Sequence, residues 1–423
     1  MNGKYLLPYG KVKVPFNYDP ALFELILPQN PPPPLDEEEM RHRLSHPIGV
    51  PPPKEWVREG DEVLIVVSDI TRKTGARKVL PLIISELLGA RVPEEKVKII
   101  FALGNHRGLT EEERRAIVGE EIADRFPLFD HNSEAEEDLV SFGSTSRGVP
   151  VALNRALFEV DKIILTGGIT FHYFAGFTGG RKSIVPGLAG KRTIIENHKL
   201  SVDFEKGTWR DGVEIAELEG NPLSQDLVEA ASNAPRPFIV NTVISGGEIV
   251  GLFAGDWIKA HKEGCSFFKG IYGVPVPRRR RLVVASAGGF PKDINFIQSH
   301  KALHNAERAL SDGGWLILLS ACSDGVGSAS FLSWFPFEKE AFLTRFRESE
   351  ELNGQTAFSL ALKVSRLNVI LVSELPSPDV ERMGMIPARS LEEAWEMVPA
   401  EIRREGGYII PEAGTTLPLP EER

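Results

Sequence analysis

The sequence has 423 residues, a length that favours two domains. With 42% hydrophobic and 26% charged residues, it has the composition of a globular protein. Its formal net charge of −10 argues against nucleic acid or an anionic membrane as a general partner, although a local basic pocket could bind a small anion. Only two cysteines occur, which excludes a disulfide framework and a cysteine-based zinc site. Without a secretory signal or a membrane-length apolar run, we expect a cytoplasmic enzyme or binding protein.

Short apolar runs alternate along the chain with polar or glycine-rich turns and helical stretches. The runs predicted to be strands cover residues 63–68, 97–103, 162–166, 238–244, 282–286, 315–320 and 369–372. Helices are predicted at 79–88 and at 111–118, the second opened by a capping box of Thr110 and Glu113. Nearly continuous valine, isoleucine and leucine content indicates strands that are covered on both faces. The fold class is therefore predicted to be α/β, with largely parallel, doubly wound sheets.

A proline-containing connector at residues 272–281 predicts a domain boundary. We therefore expect an N-terminal domain of residues 1–273 and a C-terminal α/β domain of residues 274–423. Four consecutive arginines, 278–281, close the connector. Beside a stiff linker they are interpreted as a solvated junction rather than a nucleic-acid patch.

Two turns that follow predicted strands carry groups able to act on a ligand. In the turn of residues 68–75, Asp69 and Arg72 lie among hydroxyl side chains, and Arg72 with the backbone amides could bind an anion. An ordinary Asp–Arg pair with capping hydroxyls explains the same pattern. In the turn of residues 102–108, His106 could be an acid or base near neutral pH, or merely an exposed loop histidine.

The richest stretch, residues 166–183, brackets His172 and Lys182 with five glycines. Its Gly-Arg-Lys-Ser ending lacks the spacing of a Walker A loop, because Arg181 stands where glycine is required, so a P-loop NTPase is rejected. The glycines suggest close backbone approach to a bulky ligand, and a lysine there could be a nucleophile or covalent anchor. The alternative is a flexible loop with a surface lysine. His198 follows in a short predicted helix, and one histidine alone is weak evidence for a metal.

A fourth segment, residues 288–301, lies in the second predicted domain. A Gly-Gly-Phe-Pro turn follows a strand there and leads into a helix. Gln298 and Lys301 are three residues apart, so they share a helix face and could reach one carboxylate together. Taken alone, such a pair would be a solvated helix face.

Together these segments resemble the nickel-dependent lactate racemase family, over about residues 10–410 and in the family's order. The most specific part is residues 172–187, His-Tyr-Phe-Ala-Gly-Phe-Thr-Gly-Gly-Arg-Lys-Ser-Ile-Val-Pro-Gly, with Asn197-His198 after it. The resemblance implies two α/β domains with the active site in the cleft between them. It also implies a racemase or epimerase of a 2-hydroxy acid, which is lactate or a larger analogue such as a sugar acid.

The resemblance further implies a nickel-pincer nucleotide, pyridinium-3,5-bisthiocarboxylic acid mononucleotide. Lys182 would be its covalent attachment point and His198 the protein ligand of nickel. The cofactor contacts would also include Asp69, Thr71, Gly179 and Gly180. Separate biosynthesis proteins would build the cofactor, so protein produced without them would carry none.

In the mechanism that the resemblance implies, His106 and His172 are the acid/base pair, one for each substrate orientation. Hydride passes reversibly from C2 of the substrate to the cofactor through a 2-keto acid intermediate. Arg72, Gln298 and Lys301 would hold the substrate carboxylate.

The sequence departs from the family pattern near the substrate, and alternatives to racemisation stay open. Ile297 stands where an aromatic residue is common, and Trp315 and Trp334 are the candidates for closing the substrate pocket, although Trp315 also fits a core strand. A 2-hydroxyacid oxidoreductase with the same cofactor, or a non-catalytic nickel- or nucleotide-binding protein, is the alternative function. The sequence does not indicate an oligomeric state.

Overall fold

The computed structural model of the protein describes residues 3–328, 330–351 and 353–421. Within these ranges, no helix combines the length and the apolar character that crossing a membrane requires.

The residues form two compact units, which are described separately. The central unit comprises residues 31–201 and 210–269. The terminal unit contains both ends of the chain and comprises residues 1–30, 202–209 and 270–423.

The strands, numbered in chain order, are β1 (Gly3–Tyr9), β2 (Val12–Tyr18), β3 (Phe23–Leu25), β4 (Val63–Ser68), β5 (Val97–Ala102), β6 (Leu128–Asp130), β7 (Leu139–Ser144), β8 (Pro150–Asn154), β9 (Lys162–Gly168), β10 (Phe171–His172), β11 (Gly176–Phe177), β12 (Val202–Asp203), β13 (Thr208–Trp209), β14 (Phe238–Ser245), β15 (Glu248–Asp256), β16 (Gly273–Val276), β17 (Arg280–Ser286), β18 (Leu310–Leu319), β19 (Asn368–Val372), β20 (Ile386–Ala388), β21 (Gly407–Ile410) and β22 (Leu417–Pro420).

The α-helices are α1 (Glu37–Ser45), α2 (Pro53–Trp56), α3 (Ala76–Gly89), α4 (Glu111–Val118), α5 (Glu120–Arg125), α6 (Lys191–Lys199), α7 (Pro222–Ala231), α8 (Lys259–Tyr272), α9 (Phe296–Ala306), α10 (Lys339–Glu348), α11 (Gly354–Val364), α12 (Ser377–Arg382), α13 (Leu391–Met397) and α14 (Ala400–Glu405).

The central unit is built on a six-stranded sheet with the order β15-β14-β9-β4-β5-β6. All neighbours in it are parallel except β15, which runs antiparallel to β14. Val63 and Ile65 of β4 pack with Ile83 of α3 in one core. The intervening Leu64 and Val66 are buried on the other face, since successive strand residues point to opposite sides. Both faces are thus covered, as the continuous apolar run predicted.

The terminal unit is built on a second six-stranded sheet, with the order β20-β19-β18-β17-β21-β3 and all neighbours parallel. Along β17, Val283 and Ala285 pack in one core, whereas Leu282 and Val284 pack in a second core on the opposite face. Burying each of these valine and leucine side chains contributes roughly 1.5–3 kcal/mol. The predicted α/β class with largely parallel, doubly wound sheets is confirmed.

The first thirty residues belong structurally with the C-terminal half of the chain. The predicted division between residues 273 and 274 assigns them to the N-terminal domain. The reason is strand pairing, because β3 adds to the edge of the terminal sheet beside β21. The short β12–β13 hairpin also belongs to this unit. It packs there through Trp209, whose ring lies 5.9 Å from that of Phe358.

Candidate active site

Most of the predicted site residues follow three neighbouring parallel strands of the central unit. Asp69 and Arg72 follow β4, His106 follows β5, and the segment with His172 and Lys182 follows β9. Because these strands are adjacent and parallel, the segments that follow them leave from the same edge of the sheet. The topology therefore gathers residues that are far apart in sequence.

Asp69 holds His106 and Thr71 by hydrogen bonds. One carboxylate oxygen bonds Nδ1 of His106, and the other accepts from the backbone amide and hydroxyl of Thr71 at 2.9 and 2.5 Å. Burial raises the pKa of Asp69, but the bonds from His106 and Thr71 outweigh it and the net pKa is lowered. A charged Asp69 requires a proton on Nδ1 of His106, which leaves Nε2 able to accept a proton.

Lys182 and His172 are in contact. The Lys182 amino group lies 3.3 Å from Nε2 of His172, whose Nδ1 accepts a bond from the backbone amide of Ala175 at 3.2 Å. Burial, and next the positive charges of Arg181 and Arg72, lower the pKa of Lys182 well below its usual value. When the amine is unprotonated it can accept a hydrogen bond from Nε2–H of His172. A lowered pKa favours the unprotonated form of Lys182 that a nucleophile needs.

Phe174 packs against each member of this group. The Lys182 amino group lies 5.8 Å from the centre of the Phe174 ring, and the ring of His172 meets it edge-on at 4.4 Å. His198, on α6, meets the same ring at 5.0 Å with an interplanar angle of 70°. The aromatic ring therefore links the loop after β9 to α6.

His198 has the properties of a neutral ligand. Burial, and next the proximity of the Lys182 amino group in its protonated form, lower the pKa of His198 to about 3. Its Nδ1 atom is buried and makes no hydrogen bond to any part of the chain that the structure describes. Among the same residues, no group of three or more His, Cys, Asp or Glu side chains could hold a metal ion. Within the described ranges, His198 is thus not part of a metal site built from such side chains.

Gly179 and Gly180 have left-handed backbone conformations, with φ of +79° and +53°. The amide of Gly180 donates to Oδ1 of Asn241 at 2.8 Å. A Cβ on Gly179 would lie 2.8 Å from that oxygen, and one on Gly180 would lie 2.8 Å from the His261 ring. Packing within the protein therefore requires both glycines. Their contact with a cofactor stays a prediction.

Arg72 is exposed, and it forms no ion pair with another residue of the described chain. Its charge nevertheless lowers the pKa of both Asp69 and Lys182. A guanidinium without a carboxylate partner beside these groups could bind an anionic ligand.

Gln298 and Lys301 lie in the terminal unit, on the exposed face of α9. The Lys301 amino group donates to Oε1 of Gln298 at 2.7 Å, so the predicted pair does share one helix face. Of the two tryptophans considered for pocket closure, Trp315 lies in β18 and packs against a core of this unit. Trp334 is also a core residue, 3% exposed.

Sequence reasoning missed three residues near this group. The first is Phe174. The second is Asn105, whose side-chain Oδ1 and Nδ2 atoms are both buried without a hydrogen-bond partner in the described ranges. The position of Asn105 between Gly104 and His106 was the available signal. The third is Asp226, whose contact with α6 has no local sequence signature.

Comparison with known proteins gives the family. The profile for the lactate racemase N-terminal domain matches residues 9–209, and that for the lactate racemase C-terminal domain matches residues 277–413. The lactate racemase of Thermoanaerobacterium thermosaccharolyticum is 33% identical over 420 residues, which cover 96% of this chain and 97% of that protein. The lactate racemase of Lactiplantibacillus plantarum is 33% identical over 380 residues, 88% of this chain and 87% of its own length.

Comparison with solved structures points to the same family. The lactate racemase apoprotein from Thermoanaerobacterium thermosaccharolyticum matches with a TM-score of 0.90 and 31% identity, covering 99% of this chain and 100% of that one. A Thermotoga maritima protein shares the fold, with a TM-score of 0.68 and 19% identity over 93% of this chain and 100% of that one. The chain therefore belongs to the lactate racemase family and is an isomerase of the racemase type.

Proposed function

We propose that this protein racemises or epimerises a 2-hydroxy acid, lactate or a larger analogue, with a nickel-pincer nucleotide attached to Lys182. The observation that carries the proposal is the contact between the Lys182 amino group, with its lowered pKa, and His172, beside a ring on which His198 packs. Family membership supports the reaction type, since the curated relatives are lactate racemases.

The residues present fit the cofactor. The lowered pKa of Lys182 favours the unprotonated amine that would form the thioamide bond to the nucleotide. A neutral His198 with an unbonded buried Nδ1 can be a metal ligand, because imidazole binds metals in its neutral form. When bound, the group would accept hydride from C2 of the substrate and return it to either face of the resulting 2-keto acid.

The two proposed acid/base histidines differ in their partners. His106 is oriented by the charged Asp69, so its Nε2 can take the proton of the substrate hydroxyl. Nδ1 of His172 accepts from the Ala175 amide, so Nε2 carries the proton of the neutral ring, and this bond must be exchanged before Nε2 can take a proton. As the acid/base pair, the two histidines would serve the two orientations in which the hydroxyl is presented. Asp69 would stabilise the imidazolium form of His106 as it takes the proton.

In the central unit the substrate carboxylate would be held by Arg72, and the same role for Gln298 and Lys301 stays a prediction. The lack of an ion pair at Arg72 within the described chain supports this role, because its guanidinium is available for a bidentate bond. Holding the carboxylate keeps C2 near the cofactor and restrains the keto acid from leaving.

The test uses protein produced together with the cofactor-building enzymes. The intact mass, the nickel content and the racemisation of enantiopure 2-hydroxy acids are measured on one sample. We expect a mononucleotide-sized mass increase at Lys182, about one nickel per chain, and formation of the opposite enantiomer. Lys182→Ala should remove all three.

Two results would overturn the proposal. Release of 2-keto acid in proportion to an added electron acceptor, without the opposite enantiomer, would indicate an oxidoreductase. An adduct with nickel but no turnover of any tested 2-hydroxy acid would indicate a binding protein.

A further inference from the structure

The helix that carries His198 is attached to the rest of the central unit by a buried polar contact. Asn197, 1% exposed, precedes His198 near the carboxyl end of α6. Its side-chain amide donates to Oδ2 of Asp226 at 2.8 Å. Asp226 belongs to α7 and is fully buried. Because adjacent helix residues point roughly 100° apart, this contact fixes α6 on a different side from His198.

The other oxygen of Asp226 has a donor from a third segment. The Thr145 hydroxyl donates to Oδ1 of Asp226 at 2.5 Å. Thr145 is fixed in turn by Val149, whose amide donates to the Thr145 hydroxyl at 3.2 Å and whose carbonyl accepts from the Thr145 amide at 2.8 Å. The carboxyl group thus joins two helices and a turn, and loss of either donor would leave one of its buried oxygens without a hydrogen bond.

Within the described parts of the chain, the ring of His198 is not held by a hydrogen bond at Nδ1, and it packs against Phe174. The direction of this side chain therefore depends on how α6 is seated. Residues that do not contact a metal but fix the orientation of its ligand can influence metal affinity strongly.

We propose that Asp226 is a positioning residue for the metal site, holding α6 through Asn197 so that His198 is presented at a fixed position and angle. This inference rests on the proposed function, in which His198 is the nickel ligand. It assigns no chemical step to Asp226, which acts through Asn197.

The test compares three variants in protein that carries the Lys182 adduct. Asp226→Asn keeps the size of the side chain but replaces one carboxylate oxygen with an NH2 group. The side chain can then no longer accept hydrogen bonds from both the Asn197 amide and the Thr145 hydroxyl. The double variant Asn197→Asp/Asp226→Asn exchanges the partners and restores both bonds, since the new Asn donates to the new Asp and accepts from Thr145. Ser146→Ala is the matched control. The Ser146 hydroxyl donates at 2.6 Å to Glu229, which lies on α7 as Asp226 does, and not to a residue of α6.

The readouts are the rate of nickel loss to excess chelator, the adduct mass, and the unfolding midpoint. We expect Asp226→Asn to lose nickel about 10- to 100-fold faster with its adduct mass unchanged. The double variant should recover most of that loss, and Ser146→Ala should match the wild type. If Asp226→Asn does not fold, Asn197→Ala makes the same comparison.

A lower unfolding midpoint with an unchanged rate of nickel loss would overturn the inference and leave a purely structural role for Asp226. Failure of the double variant to recover nickel retention would overturn it as well. Absence of adduct and nickel from the wild-type protein would overturn the proposed function, and this inference with it.

Discussion

The bond between Asp69 and His106 gives a quantitative prediction. Replacing Asp69 with asparagine keeps an oxygen for the Thr71 amide and hydroxyl, but it presents an NH2 group to Nδ1 of His106. Nδ1 must then accept, so the proton of the neutral ring moves to Nε2. The nitrogen proposed to take the substrate proton would no longer have a free lone pair.

The size of the effect follows from the type of hydrogen bond that is lost. A bond to a charged partner contributes about 1.5–3 kcal/mol, which corresponds to roughly a 10- to 150-fold change in rate. The His106 side chain is 49% exposed, whereas that of Asp69 is 6% exposed, so water screens one side of the pair. We therefore expect kcat to fall by about 10- to 30-fold in Asp69→Asn, with a smaller change in KM.

The assay is racemisation by protein that carries the adduct, with nickel measured on the same sample. The control is Glu113→Gln, which breaks the exposed ion pair between Glu113 and Arg107, the neighbour of His106. Water screens such an exposed pair, so this variant should retain its kcat. An unchanged kcat in Asp69→Asn, at equal cofactor content, would refute the role assigned to the Asp69–His106 pair.

Two further predictions concern stability and use chemical unfolding. In Gly176→Ala the new Cβ would lie 1.9 Å from the carbonyl oxygen of Glu217, at a φ of +77°, and we expect a loss of about 2–4 kcal/mol. Gly143→Ala is the control, because Gly143 has a φ of +79° but an added Cβ would have no atom within 4 Å. This variant should lose only about 1 kcal/mol of unfolding free energy. Equal losses in the two variants would exclude the clash with Glu217 as the cause. Burial lowers the pKa of His261 from 6.5 to about 3. Between these two pH values the unfolded chain binds a proton at His261 that the folded chain does not. The free energy of unfolding therefore falls by roughly 1.4 kcal/mol for each pH unit from pH 6.5 down to pH 3. His261→Gln, which can still donate to the Thr178 carbonyl, should remove this contribution, and an unchanged pH slope would contradict it.

Elements with local signals were predicted well from the sequence. The strand at residues 63–68 and the helix at 111–118 have the predicted bounds, and both bonds of the capping box between Thr110 and Glu113 are present. A continuous apolar run and a capping box act within a few residues, so the local sequence suffices to specify them. The pairing of β3 with β21 has no such signal, because the partners are far apart in the chain and β3 has only three residues.

The roles of the candidate site residues stay predictions, but their places at strand ends could be read from the sequence. Residues at strand ends, such as His106 and Lys182, could be identified because parallel sheets gather function at their carboxyl edge. Which residues meet depends on strand order and side-chain packing. The bond from His106 to Asp69 requires β4 and β5 to be neighbours, and the place of Phe174 beside Lys182 and His198 depends on how a loop folds over α6.

The most direct measurement follows the hydrogen at C2. Protein that carries the adduct is incubated with enantiopure 2-hydroxy acid deuterated at C2, in ordinary water, and the deuterium content of the opposite enantiomer is measured. Reversible hydride transfer predicts that the deuterium is retained, because the same atom leaves C2 and returns to it. Replacement of the deuterium by hydrogen from water would show that C2 loses a proton instead, and it would contradict the proposed mechanism.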